Sequence, residues 1–251
     1  MITALRKLFS PIKPLLEFIA RIECAITRRA NYLAHLHLFW IQWGIIPVPE
    51  FFEHKLDQFY NWERSRNPQW VERGVYSNLV LRKKRVLELC CGDGFNAKFF
   101  YSILSESIVA CDFDPKAIRI AKRNHSVPNV RFLVADIRTQ MPEGTFENII
   151  WDAAIEHFTL DETAHILTNI KSRLTPDGIL SGHTIVDWGT GKKHLVHHEY
   201  EFKGKDDLAL ILKPYFQHIS VFETTYPTRH NLYFYASEEP LSSAWPSGTH
   251  A

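Results

Sequence analysis

The chain has 251 residues, enough for one large domain or one domain with an appendage, and its composition is that of a globular protein: 45% hydrophobic, 23% charged and 13% aromatic. Twenty-nine basic residues against 28 acidic ones leave a formal charge of +1, so nothing in the balance calls for a polyanion and no nucleic-acid partner is expected. The four cysteines, Cys24, Cys90, Cys91 and Cys111, have neither zinc-type spacing nor the pattern of a disulfide framework, which fits reduced thiols in a cytoplasmic protein.

Residues 1–69 read as a helical extension or cap. Residues 1–29 carry Arg6, Lys7, Lys13, Arg21, Arg28 and Arg29 against Glu17 and Glu23. Leu15, Ile19, Ile22 and Ile26 fall on one helical face after Pro11 and Pro14. Residues 30–49 lack formal charge, but Asn31, His35, His37, Gln42 and Pro47 make them a poor membrane span, and no secretory signal pattern is visible. The favoured expectation is a cap whose apolar face packs on the main domain. The competing one is a basic interfacial helix giving peripheral membrane contact through residues 1–49.

From residue 80 onward, short apolar runs alternate with helical patterns. Strands are predicted over 85–89, 107–111, 130–134, 148–151 and 179–186, and helices over 96–104, 115–125 and 161–174. Thr159 and Glu162 form a capping-box pattern before the last of these helices, and "TPDG" is expected to end it. A helix over 206–212 then precedes two aromatic-rich runs, "HISVFET" and "NLYFYAS", joined by the hairpin-length "TYPTRH". The fold class is therefore α/β: a doubly wound, mostly parallel seven-stranded sheet ending in an antiparallel hairpin. It spans residues 70–238, and residues 239–251 read as a flexible tail.

In such a sheet, ligands bind beyond the carboxyl ends of the strands, at the switch point near the first one. "VLELCCGDGFNAKFF" sits there, with Gly92 and Gly94 permitting positive φ and close backbone approach. Taken alone, the turn is also a G-x-G-x-x-A pattern through Ala97, which suits an NAD-type dinucleotide equally well, or it is a plain turn. "VACDFDPKAI" adds Asp112, 20 residues after Gly92, where a carboxylate can accept both hydroxyls of a ribose, with Phe113 as a flat surface for an adenine ring. Asp114 before Pro115 reads as a helix cap. Asp136 ends the third strand, placed to accept from an exocyclic amine, and Asp152, Glu156 and His157 follow the fourth.

With these residues in view, the chain resembles the class I S-adenosylmethionine-dependent methyltransferases, of Rossmann-like fold. The resemblance rests on "LELCCGDG", the acids Asp112 and Asp136, "LTPDGIL" and the terminal hairpin, and covers roughly residues 70–238. "ERGVYSNL", "WDAAIEHF", "HHEYEF" and "RHNLYF" look like a bacterial subgroup. The resemblance implies S-adenosyl-L-methionine as cofactor and S-adenosyl-L-homocysteine as product. It implies that Glu88, Cys90, Gly92 and Gly94 surround the methionine end, with Asp152 close by. It further implies that Asp112 takes the ribose hydroxyls, that Phe113 and Ile137 flank the adenine, and that Asp136 binds its amine. Cys90 stands where many relatives carry glycine, and its Cβ predicts negative φ there. Cys90 and Cys91 read as small packing residues rather than reactive thiols.

Methyl transfer from a sulfonium is an in-line displacement, so the protein supplies positioning, water exclusion and a base. His157 is the candidate base, an imidazole titrating near neutrality just past the fourth strand; a loop-fixing role is the alternative. Some metal-assisted relatives carry Glu-x-x-Glu-His here, but Ala153 replaces the first glutamate, so no metal site is expected. His194, His197, His198 and Glu199 read as substrate-loop residues. Arg73, Tyr76, Glu156, His183, His198, Arg229 and His230 are the substrate candidates, for a small-molecule or sugar acceptor methylated on O or N. Two rival readings are an NAD(P)-linked oxidoreductase or epimerase, for which no Tyr-x-x-x-Lys pair is visible, and a non-catalytic methyltransferase-like partner protein.

Overall fold

The computed structural model describes residues 11–44, 65–81, 84–187, 189 and 193–241. Helix α1 (Lys13–Trp43) is followed by α2 (Gln69–Val80) and strand β1 (Arg85–Leu89). A π-helical turn (Ala97–Tyr101) continues into the short α3 (Ser102–Leu104), then come β2 (Ser107–Asp112), α4 (Pro115–Asn124), β3 (Val130–Val134) and β4 (Phe146–Asp152). A 3-10 turn (Ile155–His157) leads to α5 (Leu160–Arg173), which runs directly into β5 (Leu174–Ile185). The described part closes with α6 (Lys205–Leu212), β6 (His218–Tyr226) and β7 (Arg229–Ser237).

The strands make one seven-stranded sheet in the order β3-β2-β1-β4-β5-β7-β6. The first five pair in parallel, while β7 is antiparallel to both β5 and β6, so the terminal hairpin is present and its second strand lies inside the sheet. Side chains alternate across the pleat. Leu87, Leu89, Ile149 and Trp151 enter one buried cluster, and Val86, Ile108, Ala110 and Ile150 enter the other. Both faces of the sheet are therefore covered, as a parallel sheet requires. The strand order reverses direction between β1 and β4, and the crevice beyond their carboxyl ends is where this architecture binds ligands.

The local signals act as their chemistry dictates. Asp114 caps α4, accepting from the Lys116 amide at 2.7 Å, with Pro115 in the first turn. Thr159 and Glu162 close a reciprocal capping box on α5. Gly74 lets α2 cross closely over the first helical turn, since a Cβ there would lie 2.3 Å from the Phe100 ring.

Three expectations change. Helix α5 ends at Arg173, just before "TPDG" as expected, but the strand expected over 179–186 already begins at Leu174, so "TPDG" lies in β5, in the bulged stretch between the Phe146↔Leu174 and Asn148↔Ile179 pairings, where Pro176 interrupts no regular ladder. The helix expected over 96–104 opens as a wider π turn, with Phe95 and Phe99 rings 4.7 Å apart beside it. The apolar face of α1 does not pack on the domain: Leu15, Ile19, Ile22 and Ile26 are 59%, 42%, 44% and 63% exposed. The helix meets the domain at its far end, where Trp43 is buried and lies 5.4 Å from the Lys116 ammonium. At 1.5 Å per residue α1 is roughly 45 Å long, too long to be covered from that one anchor. The rest of the expected cap (1–10 and 45–64) and the tail beyond residue 241 lie outside the described residues.

Candidate active site

The turn after β1 is tied to the end of β2. The Cys91 amide donates to the Cys111 carbonyl at 2.9 Å, and the Gly92 amide donates to Asp112 Oδ2 at 2.9 Å. Cys90 adopts φ 56°, which corrects the expected negative value: the chain reverses sharply straight after β1, and the pairing of Cys91 and Gly92 to β2 holds Cys90 in the left-handed region despite its Cβ. Gly94 has φ 75° and touches the Phe132 ring so closely that a Cβ would sit 2.5 Å away. The thiols of Cys90 and Cys91 are pushed well above their ordinary range by burial, so neither is a ready nucleophile.

Asp112 is buried, and its other oxygen accepts from the Asp114 amide at 2.9 Å. Burial raises its carboxyl, and the Asp114 and Gly92 amides hold it partly back. Phe113 projects at 58% exposure, and Asp136 grips the Arg138 guanidinium with contacts of 2.6–3.1 Å. That hydrogen-bonded pairing lowers the Asp136 carboxyl. Ile137 is buried in the core.

Between the β1 turn and the exit of β4 lies a cavity of about 390 Å³. One end is lined by Glu88, Cys90, Gly92, Asp93, Asn96 and Asp152; the other by Glu156, His157, His194, His198, Thr228 and Arg229; Trp43, Asn67, Gln69, Trp70 and Arg73 also line it. Glu88 lies at 3% exposure with Oε2 unpartnered. Burial, then the Asp152 charge, holds its carboxyl well above the usual range.

A polar line crosses the cavity floor. Asp152 accepts from Arg73 Nε at 2.7 Å and from Asn96 Nδ2 at 3.2 Å. His183, next in register on β5, has Nδ1 3.6 Å from Asp152 Oδ1 and Nε2 3.3 Å from Asn231 Oδ1. Asn231 Oδ1 in turn accepts from Arg229 Nε at 2.8 Å. Burial and the two arginines push His183 well below its ordinary value, which keeps the ring neutral. Burial also brings Arg229 down to about 10, with Glu156 working against that shift.

Beyond β4 the 3-10 turn presents Glu156 and His157. Glu156 is buried, its Oε2 accepting from the Thr184 hydroxyl at 2.9 Å. Its backbone carbonyl accepts the amides of Glu199 and Tyr200, which docks the loop after β5 here. That loop brings His198 against His157, with ring centroids 4.8 Å apart. Burial lowers His198 from its ordinary value. Glu156, His157 and His198 each offer a ligand atom, all within 4.8 Å of one another.

Of the residues singled out from sequence, Glu88, Cys90, Gly92, Asp152, His157, Arg73, Glu156, His198 and Arg229 line this cavity. Tyr76 does not: its ring packs edge-on to Phe222 and Tyr233, at 5.0 and 4.6 Å. His230 pairs with Glu223 at 2.9 Å, and His183 is buried at 1% exposure. These three are corrected from substrate rim to supporting positions. Sequence reading missed Asn96, Gln69 and Trp70. Asn96 was legible in part as the polar residue opening the helix after the glycines, but nothing local marks Gln69 and Trp70.

Residues 86–178 match the model of a family described as a methyltransferase domain. A ribosomal protein L11 methyltransferase of Vibrio campbellii is 24% identical over 156 residues, covering 59% of this chain and 50% of the relative. The chain thus spans about half the length of the curated relatives it matches. Among solved structures, the N-methyltransferase NodS of Bradyrhizobium japonicum, in complex with S-adenosyl-L-homocysteine, has TM-score 0.55 and 17% identity over 71% of this chain and 92% of its own. A DhpI–SAH complex has TM-score 0.52 and 21% identity over 62% of this chain and 78% of its own. The matched region, the strand order and the acid-tipped strand ends agree: residues 86–178 are similar to a methyltransferase domain, and they lie in a sheet of the Rossmann-like methyltransferase fold.

Proposed function

We propose that the protein transfers the methyl of S-adenosyl-L-methionine to an O or N atom of a small-molecule or sugar acceptor, releasing S-adenosyl-L-homocysteine. The observation that carries this reading is the single cavity joining the β1 turn to the polar exit of β4, large enough for a small ligand and lined by convergent polar groups. Relatives solved with S-adenosyl ligands support the same cofactor. In this reading Glu88, Cys90, Gly92, Gly94 and Asp152 surround the methionine half. Each Asp112 oxygen holds one backbone amide and keeps a second lone pair for a ribose hydroxyl. Phe113 and Ile137 flank the adenine, and Asp136 accepts from its amine.

In-line attack needs the acceptor atom aligned with the methyl–sulfur bond in a site closed to water. Arg73, Glu156, His198 and Arg229 supply the polar lining for that alignment, and His157 at the β4 exit takes the acceptor proton. Calorimetry with S-adenosylmethionine, S-adenosylhomocysteine and NADH tests the reading. Binding of both sulfur ligands is expected, and tight NADH binding without them would overturn it. The acceptor is then sought by comparing metabolites from cells with and without the gene, where a difference of one methyl group is expected.

A further inference from the structure

We propose that Glu156, His157 and His198 form a binding site for one divalent transition-metal ion at the acceptor end of the cavity. The three ligand atoms lie within 4.8 Å of one another, although His198 is 41 residues beyond His157 in sequence. The position of Ala153 takes no part: the third donor comes from the loop after β5, where the sequence shows only a cluster of histidines.

The surroundings hold each donor in the orientation that an ion requires. The Glu201 carboxylate, an obligate acceptor, lies 2.5 Å from His198 Nδ1 and also takes the His194 amide at 2.6 Å, which fixes both the ring and its loop. The His197 carbonyl lies 3.3 Å from His157 Nδ1. With Nδ1 the donor in both rings, Nε2 is the lone-pair nitrogen, the arrangement that metal-binding imidazoles adopt. Thr184 donates to Glu156 Oε2, so that carboxylate is fixed as well. Ligand atoms around a tetrahedral ion stand about 3.4 Å apart, so binding asks for a contraction of at most about 1.4 Å from the 4.8 Å limit. Two imidazoles and one carboxylate suit Zn²⁺, Mn²⁺ or Fe²⁺ better than Ca²⁺, which wants an all-oxygen shell.

All three residues line the cavity, so the remaining coordination positions face the space assigned to the acceptor. The site rests on the methyl-transfer reading only for its purpose: with the ion held, an acceptor hydroxyl bound to it gives up its proton at lower pH, to solvent, and without the ion His157 takes that proton. Occupancy does not depend on that reading.

The test is calorimetric titration of chelator-stripped full-length protein with Mn²⁺, Zn²⁺ and Ca²⁺, with metal content measured after gel filtration. One equivalent of Mn²⁺ or Zn²⁺ is expected, with at least tenfold weaker binding in His198→Ala and in the half-buried His157→Ala, and wild-type affinity in His230→Ala. S-adenosylhomocysteine binding, measured in parallel, should stay unchanged in all three variants and reports on folding. Substoichiometric metal in the wild type, or undiminished affinity in both ligand variants, overturns the proposal. Loss of S-adenosylhomocysteine binding to the wild type with metal retained would sink the methyltransferase reading and leave the site standing.

Discussion

Arg73 and Asp152 form an ion pair across 79 residues of chain, with guanidinium nitrogens 2.7 and 2.5 Å from one carboxylate oxygen and side chains only 9% and 4% exposed. The pair ties α2 to the end of β4, and so sets one wall of the cavity against its floor. Burial works against the Arg73 charge, and the Asp152 carboxylate more than offsets it, holding the guanidinium above its ordinary value. Arg73→Met alone strands a carboxylate in a buried place and is expected to destabilise by about 3–5 kcal/mol. Adding Asp152→Asn should recover a large part of that loss. Chemical denaturation of both single variants and the double variant checks this; simple additivity would mean that the pair does not act as a unit.

Glu88 gives a pH signature of opposite sign to the usual carboxylate. Its carboxyl is held well above the usual range in the folded chain, by burial first and then by the Asp152 charge. The folded state therefore binds more protons than the unfolded one, and stability falls as pH rises from the ordinary carboxylate range toward the folded value. Glu88→Gln removes that titration. Thermal melts of the ligand-free proteins should show the variant gaining on the wild type as pH rises above the ordinary carboxylate range. Parallel curves over that rise would rule the effect out.

Cys90 is a case where glycine should stabilise. Its φ of 56° is strained for a residue with a Cβ, and glycine adopts it freely. Cys90→Gly is expected to raise stability by about 1 kcal/mol, offset in part by the lost thiol packing, while Cys90→Val lowers it by more. Denaturant midpoints of the two variants should move in opposite directions, and a lower midpoint for Cys90→Gly would show that packing outweighs strain.

These cases show why the fold was more legible than the site. Strand positions follow from period-two burial, as at Leu87 and Leu89 against Val86, and helix starts follow from local caps such as Asp114 and Thr159. Such signals act over a few residues, so sequence carries them directly. The sign of φ at Cys90 depends on hydrogen bonds to β2, and the meeting of His157 with His198 depends on a loop docking on the Glu156 carbonyl. Neither is encoded in spacing. Tyr76 and His230 misled for the same reason: their types suit a substrate rim, but Phe222 and Glu223 on the hairpin claim them.

Asp112 ties the turn after β1 to the start of α4, because its carboxylate holds the amides of Gly92 and Asp114 at once. Asp112→Ala is expected to lower S-adenosylhomocysteine affinity at least tenfold and to lower stability by about 1–3 kcal/mol, with the fold retained. Calorimetry and circular dichroism on the same samples separate the two effects. Unchanged affinity in a folded variant would remove Asp112 from the cofactor site.

Helix α1 leaves an apolar stripe uncovered, with Leu15, Phe18, Ile22 and Ile26 at 59%, 60%, 44% and 63% exposure. No helix among the described residues is long and apolar enough to cross a membrane, so contact with a bilayer would be interfacial. Within the helix Lys13, Arg21, Arg28 and Arg29 outnumber Glu17 and Glu23, which favours an anionic surface. Burying each large apolar side chain contributes about 1.5–3 kcal/mol. Co-sedimentation with phosphatidylserine-containing vesicles is therefore expected, stronger than with neutral ones, and Phe18→Ser/Ile22→Ser should weaken it at least tenfold with S-adenosylhomocysteine binding intact. Because the stripe lies away from Trp43, where α1 meets the domain, the substitutions should leave the cavity unaltered. Recovery of the wild type in the supernatant with both vesicle types would assign the stripe to something other than lipid.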